Sequence, residues 1–262
     1  MPWSHGIWIP AFAGTSGDVC GLMDLIAAPS PNFDARRGPP DMIVLHYTGM
    51  ETGEAALARL TDPETKVSAH YLVEEDGRLF TLVDEARRAW HAGVSCWQGV
   101  HDTNGRSIGI EIVNPGHAWG YRPFPAAQIA AVIALLADIR QRWTIEDSLI
   151  LGHSDVAPRR REDPGEFFPW AELAGAGHGL WVEPPPAPGP ALSPGDAGLP
   201  VIVLRGALAR LGYDLPVQGG FDDDLALVVT AFQRHWVQSR IDGIADGDTR
   251  ARLMALLKRV AA

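Results

Sequence analysis

The sequence predicts an α/β protein: a mixed central β-sheet flanked by helices, followed by a small three-helix domain. Three observations carry that prediction. Strand-like and helix-like runs interleave between residues 41 and 155, the pattern of a sheet with helices laid on it. The stretch VEPPPAPGPALSPGDAGLP at 182–200 interrupts the chain, and so proline-rich a run builds neither a helix nor a central strand. Beyond it, apolar residues recur at helical spacing in stripes separated by glycine turns.

Taken in order, DMIVLHYT (41–48) is a short, nearly continuous apolar run and reads as a buried strand. TGEAALARLT (52–61) has helical composition. VSAHYLV and RLFTLV flank Glu74-Glu75-Asp76-Gly77, whose Asp-Gly pair marks a hairpin turn. SIGIEIVN (107–114) alternates: Ile108, Ile110 and Ile112 share one face, Gly109 and Glu111 the other. Over 126–143, Ile129, Val132, Ile133, Leu136, Ile139 and Trp143 recur with helical period behind Pro125, a residue suited to a helix start. SLILGHSD (148–155) reads as another short buried strand.

The last third yields three stripes: Val201, Leu204, Leu208, Leu211; then Leu225, Val228, Val229, Phe232, Trp236; then Thr249, Leu253, Leu256, Leu257. The expected organisation is a tail at 1–22, a main domain at 23–181, a linker at 182–198 and a helical domain at 199–262. The linker is expected to be a semi-extended spacer between two separately folded units. The tail is unlike the rest of the chain, and Met23 is the expected biological start.

Composition excludes several function classes. The chain has 262 residues, 46% hydrophobic and 21% charged, ordinary for a globular protein. Its net charge of -10 argues against a nucleic-acid partner, which needs a basic footprint. No stretch approaches the roughly 20 apolar residues of a membrane span. Cys20 and Cys96 are the two cysteines, too few for a disulfide framework.

His46 ends the first buried strand, His153 follows Gly152 at the last one, and Asp163 lies ten residues further on. Two imidazoles and a carboxylate form the ligand set of a catalytic zinc, which leaves a fourth position open. Among nine histidines, spacing alone leaves a core or surface pair as the competing reading. Glu111 faces away from three isoleucines on an apolar strand. A carboxylate there is costly unless it is paired or functional; a solvent-facing glutamate is the alternative.

The words IVLHYTG, SAHYLV, WHAG, SIGIEI, GHSD and RREDPGEFFPW occur in one order over residues 40–175. They resemble the zinc-dependent N-acetylmuramoyl-L-alanine amidases of the amidase-2 family, related to the peptidoglycan recognition proteins, and within it the AmiD-like branch. The resemblance implies that fold, one Zn2+ on His46, His153 and Asp163, and proton transfer by Glu111. It implies an oxyanion-stabilising cation at Arg161, where the family usually has lysine; arginine can stabilise charge there but does not donate its proton. It places His70, Trp90 and His91 as substrate contacts. Core histidine and plain core packing are the alternatives for His70 and Trp90.

LRGALARLGY, GGF, VVTAFQRHW and DGIADGDT (199–257) resemble a three-helix peptidoglycan-binding domain, with departures at Gly219 and Asp222. The implied function is hydrolysis of the amide between N-acetylmuramic acid and L-alanine in peptidoglycan or anhydro-muropeptides, during wall turnover. A non-catalytic muropeptide binder is the alternative. The expected partner is the peptidoglycan or muropeptide substrate, and the expected location is the cytoplasm, with the cell envelope second. With a free spacer, truncation after Val182 is expected to spare turnover of a small muropeptide and to weaken action on intact sacculi.

Overall fold

The computed structural model describes residues 24–261; the expected tail at 1–22 lies outside them. The chain runs through β1 (Leu25–Ala27), β2 (Phe33–Ala35), β3 (Met42–Tyr47), α1 (Gly53–Thr61), β4 (Tyr71–Val73), β5 (Leu79–Thr81) and β6 (Arg87–Ala89). It continues through α2 (Thr103–Arg106), β7 (Ser107–Ile112), α3 (Gly116–Trp119), α4 (Ala126–Arg142), β8 (Ile150–Gly152), α5 (His153–Val156) and α6 (Trp170–Gly175). The last helices are α7 (Leu199–Leu211), α8 (Asp223–Trp236) and α9 (Gly247–Val260).

Six strands form a mixed sheet in the order β1-β5-β4-β7-β3-β8. β3 lies between β7 and the edge strand β8, parallel to both, and its register sets His46 beside Glu111. β4 runs parallel to β7 and antiparallel to β5 across the expected hairpin. There Glu74 N–H donates to the Arg78 carbonyl at 2.9 Å, and Gly77 takes φ 89°, a conformation glycine adopts without strain.

The near-continuous apolar sequence of β3 reflects burial on both faces. On one face Ile43 and Leu45 join Ile108, Ile110 and Ile112 of β7 against Ile129, Val132, Leu136 and Ile139 of α4. All of these are at most 2% exposed, and each such side chain stabilises the fold by about 1.5–3 kcal/mol. α4 starts after Pro125, and its last turn carries Arg140 and Arg142, cations that complement the negative end of the helix dipole.

The opposite face of the sheet has two covers. α1 lays Ala56 and Leu60 on Leu72, Phe80 and Val113. The C-terminal helices cover the other end. Met42 and Val44 of β3, Leu151, Val156 and Trp97 belong to one continuous core with Leu204, Leu208, Leu211, Val228, Phe232 and Leu256.

Two expectations are corrected here. The 182–198 segment is not a free spacer. Ala187 N–H donates to the Gly247 carbonyl at 2.9 Å, Leu192 pairs with Ala245, and Gly195 N–H donates to the Phe221 carbonyl at 2.9 Å. These bonds lay the segment down along the helical unit, and the unit itself shares a core with the sheet. The run 148–155 is not one strand. β8 ends at Gly152, whose N–H is bound by the Asp155 carboxylate at 2.8 Å; this side-chain acceptor ends the ladder and starts the turn α5 at His153.

Candidate functional site

The site lies on the sheet face between α1 and the C-terminal helices, where β3, β7 and the start of α5 present their side chains to a cleft of about 590 Å³. Its floor carries His46, Glu111, His153 and Asp163, with His91 behind and Arg161 exposed at the mouth. Trp90, half-buried, and the more exposed Trp119 also line it.

His46 Nδ1, His153 Nδ1 and Asp163 Oδ2 lie 3.0 Å from one another on all three edges. Tetrahedral zinc ligands at about 2.0–2.1 Å from the ion stand about 3.3 Å apart, so the triangle is close to the size of one face of such a site. The three residues also form a group whose donor atoms could hold one metal ion.

The rest of the network orients both imidazoles towards that point. Ser107 Oγ donates to the Thr103 carbonyl at 2.7 Å and therefore accepts from His91 Nε2 at 3.2 Å. His91 Nδ1 is then the acceptor for His46 Nε2–H at 3.0 Å, which leaves the His46 Nδ1 lone pair facing the triangle. His153 Nε2–H donates to the Ala92 carbonyl at 3.0 Å and leaves its Nδ1 in the same position. Such outer partners fix ligand tautomer and ring orientation. The donor set, two nitrogens and one carboxylate oxygen with inward lone pairs, fits zinc.

The electrostatics agree. Burial, then the neighbouring His153, lowers the His46 imidazole to about 4, so it is neutral at pH 7 and available as a ligand. Burial alone would raise the Asp163 carboxyl, but His153 and His46 outweigh it and hold Asp163 well below the usual carboxylate range. Glu111 behaves oppositely: burial first, then the charge of Asp163, pushes its carboxyl well above the ordinary range. Glu111 Oε2 is buried with no hydrogen-bond partner among the described residues. Such an atom is expensive in a folded core and common where a group must exchange a proton.

The structure brings seven of the eight residues expected at the site to the cleft: His46, Glu111, His153 and Asp163 at its floor with His91 behind them, Arg161 at its mouth and Trp90 in its wall, where its indole N–H donates to Asp34 Oδ2 at 2.7 Å. His70 is a correction. It is fully buried outside the cleft, with Nδ1 accepting from Gly109 N–H at 2.9 Å and Nε2 against the Arg87 carbonyl at 3.1 Å. It is a core histidine that ties β7 to its neighbour and has no face for substrate. His91 lines the cleft as expected, and both of its ring nitrogens are engaged, by His46 and Ser107, so it also holds the His46 ring in place.

Ser107 and Gly109 were not singled out for these contacts. The alternation that places Glu111 on the site face places them there too, at two-residue intervals. A Cβ on Gly109 would run into the His91 ring, which is why this strand position has none.

Comparison with known proteins accords with this site. Residues 36–166 match the family model described as N-acetylmuramoyl-L-alanine amidase, and residues 197–253 match a putative peptidoglycan binding domain. The N-acetylmuramoyl-L-alanine amidase AmiD of Escherichia coli K12 is 34% identical over 275 residues, covering 96% of this chain and 97% of that protein. The 1,6-anhydro-N-acetylmuramyl-L-alanine amidase AmpD of the same strain is 35% identical over 168 residues, covering 55% of this chain and 87% of its own. The fold superposes on E. coli AmiD in complex with anhydro-N-acetylmuramic acid-L-Ala-D-gamma-Glu-L-Lys with a TM-score of 0.71 at 36% identity, over 86% of this chain and 92% of that one. AmpDh3 of Pseudomonas aeruginosa in complex with anhydromuramic pentapeptide gives 0.73 at 33% identity, over 84% and 92%. With the matching family model, the near full-length relative and a complete His-His-Asp triangle beside a partnerless glutamate, the chain belongs to the N-acetylmuramoyl-L-alanine amidase family.

Proposed function

We propose that the protein is a zinc hydrolase that cleaves the amide between N-acetylmuramic acid and L-alanine, with anhydro-muropeptides as its substrate class. The observation that carries this reading is the 3.0 Å triangle of His46, His153 and Asp163, with both imidazole lone pairs turned inward beside Glu111. The substrate class is supported by the ligands of the two superposed relatives, AmiD and AmpDh3.

His46, His153 and Asp163 hold the metal. Zinc in that position supplies Lewis-acid polarisation of the scissile carbonyl and makes water acidic enough to attack near neutral pH. Glu111 moves the proton. Its unpartnered Oε2 takes the proton of the attacking water and then passes it to the departing L-alanine amine. Burial and the charge of Asp163 raise the proton affinity of Glu111 above that of an ordinary carboxylate, as proton transfer from water requires. Arg161 at the mouth donates to the oxyanion of the tetrahedral intermediate and keeps its own proton. Trp90 offers an apolar wall for the sugar or stem peptide.

A recognition protein that binds without cutting is the competing reading; the complete ligand triangle and the free Glu111 carboxylate favour hydrolysis. The test is mass spectrometry of an anhydro-muropeptide incubated with the zinc-loaded protein. The expected products are the anhydro-sugar acid and a stem peptide with a free L-alanine amino group. Bound zinc with intact substrate would establish the binder, and free amino groups deeper in the stem would establish an endopeptidase.

A further inference from the structure

The side of α5 away from the cleft is built as carefully as the side towards it. His153 opens this four-residue turn and faces the ligand triangle. Two residues on, Asp155 is completely buried and points the other way, into the C-terminal helices. Its carboxylate accepts three hydrogen bonds. One comes from the Gly152 backbone, at 2.8 Å to Oδ2, within the turn itself. The other two come from across the domain boundary: Tyr213 O–H donates to Oδ1 at 2.8 Å and His235 Nδ1–H to Oδ2 at 2.7 Å.

Both donors are themselves fixed. The His235 ring is stacked between Trp170, at 3.6 Å between centroids, and Trp236, at 3.7 Å. Tyr213 stands edge-on to Trp97 at 5.0 Å. Behind it, Gly212 at φ 145° lies where a side chain would collide with the Trp97 indole. Around this centre Arg159 pairs with Asp224, Arg234 pairs with Glu162 at 2.8 Å, and Gln238 donates to the carbonyls of Glu166 and Phe168 at 2.7 Å. These contacts hold both flanks of the 152–163 segment, which carries two of the three residues of the triangle.

We propose that the C-terminal helices position the metal site: Tyr213 and His235 grip Asp155, and through it they fix the turn that aims His153. A buried carboxylate with three donors has one low-energy arrangement, and leaving any donor position empty forces it to rotate or to admit water. Because Asp155 also bonds the N–H of the residue before His153, its rotation moves the ligand. The grip is absent from any unit that ends before Tyr213, so the second domain completes the first whatever else it binds. Tyr213 and His235 are positioning residues; neither lines the cleft.

This inference rests on the zinc reading above, and the experiment separates the two. Zinc affinity is measured on the full-length chain by competition with a chromogenic chelator, at a temperature where circular dichroism shows each variant folded. The wild type must bind zinc; if it does not, the zinc reading fails and the positioning question does not arise. Tyr213→Phe removes the hydroxyl alone, and His235→Phe keeps an aromatic ring for stacking; each removes one donor to Asp155. Each is expected to weaken zinc binding by about tenfold or more, the low end for outer partners of a metal site, and to lower kcat for a soluble muropeptide more than it raises KM. His235→Asn returns a donor near the Nδ1 position and is expected to restore most of the affinity. Leu253→Ala, in the core of the C-terminal helices and away from Asp155, controls for destabilisation alone and is expected to melt earlier with unchanged zinc affinity. Wild-type zinc affinity in folded Tyr213→Phe and His235→Phe, or an equal loss in Leu253→Ala, would overturn the proposal.

Discussion

Deleting residues 183–262 should cost the remaining chain much of its stability, because those helices cover one face of its sheet. The side chains uncovered are Met42, Val44, Trp97, Leu151 and Val156, each at most 2% exposed in the intact protein. Full burial of one such side chain contributes about 1.5–3 kcal/mol. If the helices supply only half of that cover, the loss is still about 5 kcal/mol, to which the stranded Asp155 carboxylate adds its own penalty. A whole domain is stable by only about 5–15 kcal/mol. At about 2–4 °C per kcal/mol for a chain of this size, the expected fall in Tm is roughly 10–20 °C, or no folded product at all. The assay is a thermal melt by circular dichroism of residues 24–182 beside the full chain, with chelator present so that metal does not mask the difference. A truncated protein that melts within about 3 °C of the full chain would refute the shared core. This reverses what a free proline spacer predicts, namely an unaffected catalytic unit.

Three further outcomes are expected. Glu111→Gln should keep the fold and the metal and lose about 10²–10⁴ in kcat, the usual worth of a proton-transfer group; turnover within a factor of a few of wild type would assign the proton to another residue. Gly109→Ala should push the His91 ring off His46 and weaken zinc binding by about 10–100-fold, read by the same chelator competition, with unchanged affinity counting against the His91–Ser107 relay. The metal-free protein should lose stability as pH falls. His70 and His46 are both lowered by burial to about 4, below the unfolded value near 6.5, so the unfolded chain binds more protons between those values. The stabilising effect of neutral burial is therefore complete above about pH 6.5 and is lost as pH falls towards 4. His70→Gln should flatten that slope in melts run from pH 7 to pH 4.5, and a wild-type Tm that is flat over this range would contradict it.

What the sequence made legible was what local periodicity and strand ends can carry. The alternation of SIGIEI put Glu111 on the site face, and β3 and α4 fall within a residue or two of the runs that predicted them. The triangle of His46, His153 and Asp163 was legible through the short motif words that hold its members; only His46 lies within a strand, at the end of β3. The contacts of His70 and His91 were not, since whether a buried histidine faces a cleft or a backbone carbonyl depends on its neighbours across the sheet. The break at Gly152 was hidden for a similar reason: a side-chain acceptor three residues on, the Asp155 carboxylate, turns the chain into α5 just after Ile150 and Leu151. The docking of the C-terminal helices had one unread signal. The run Met42–Tyr47 is apolar on both faces, and α4 can cover only one of them. Proline content described the linker's backbone and said nothing about what lies beneath it.

The central claim, that His46, His153 and Asp163 hold one catalytic zinc, is tested most directly by metal content and product release measured together on single variants. Wild-type protein reconstituted with zinc and desalted is expected to retain one ion per chain and to release stem peptide from an anhydro-muropeptide. His153→Ala, still folded by circular dichroism, is expected to lose both. A folded His153→Ala protein that retains a full equivalent of zinc or wild-type peptide release would contradict the account.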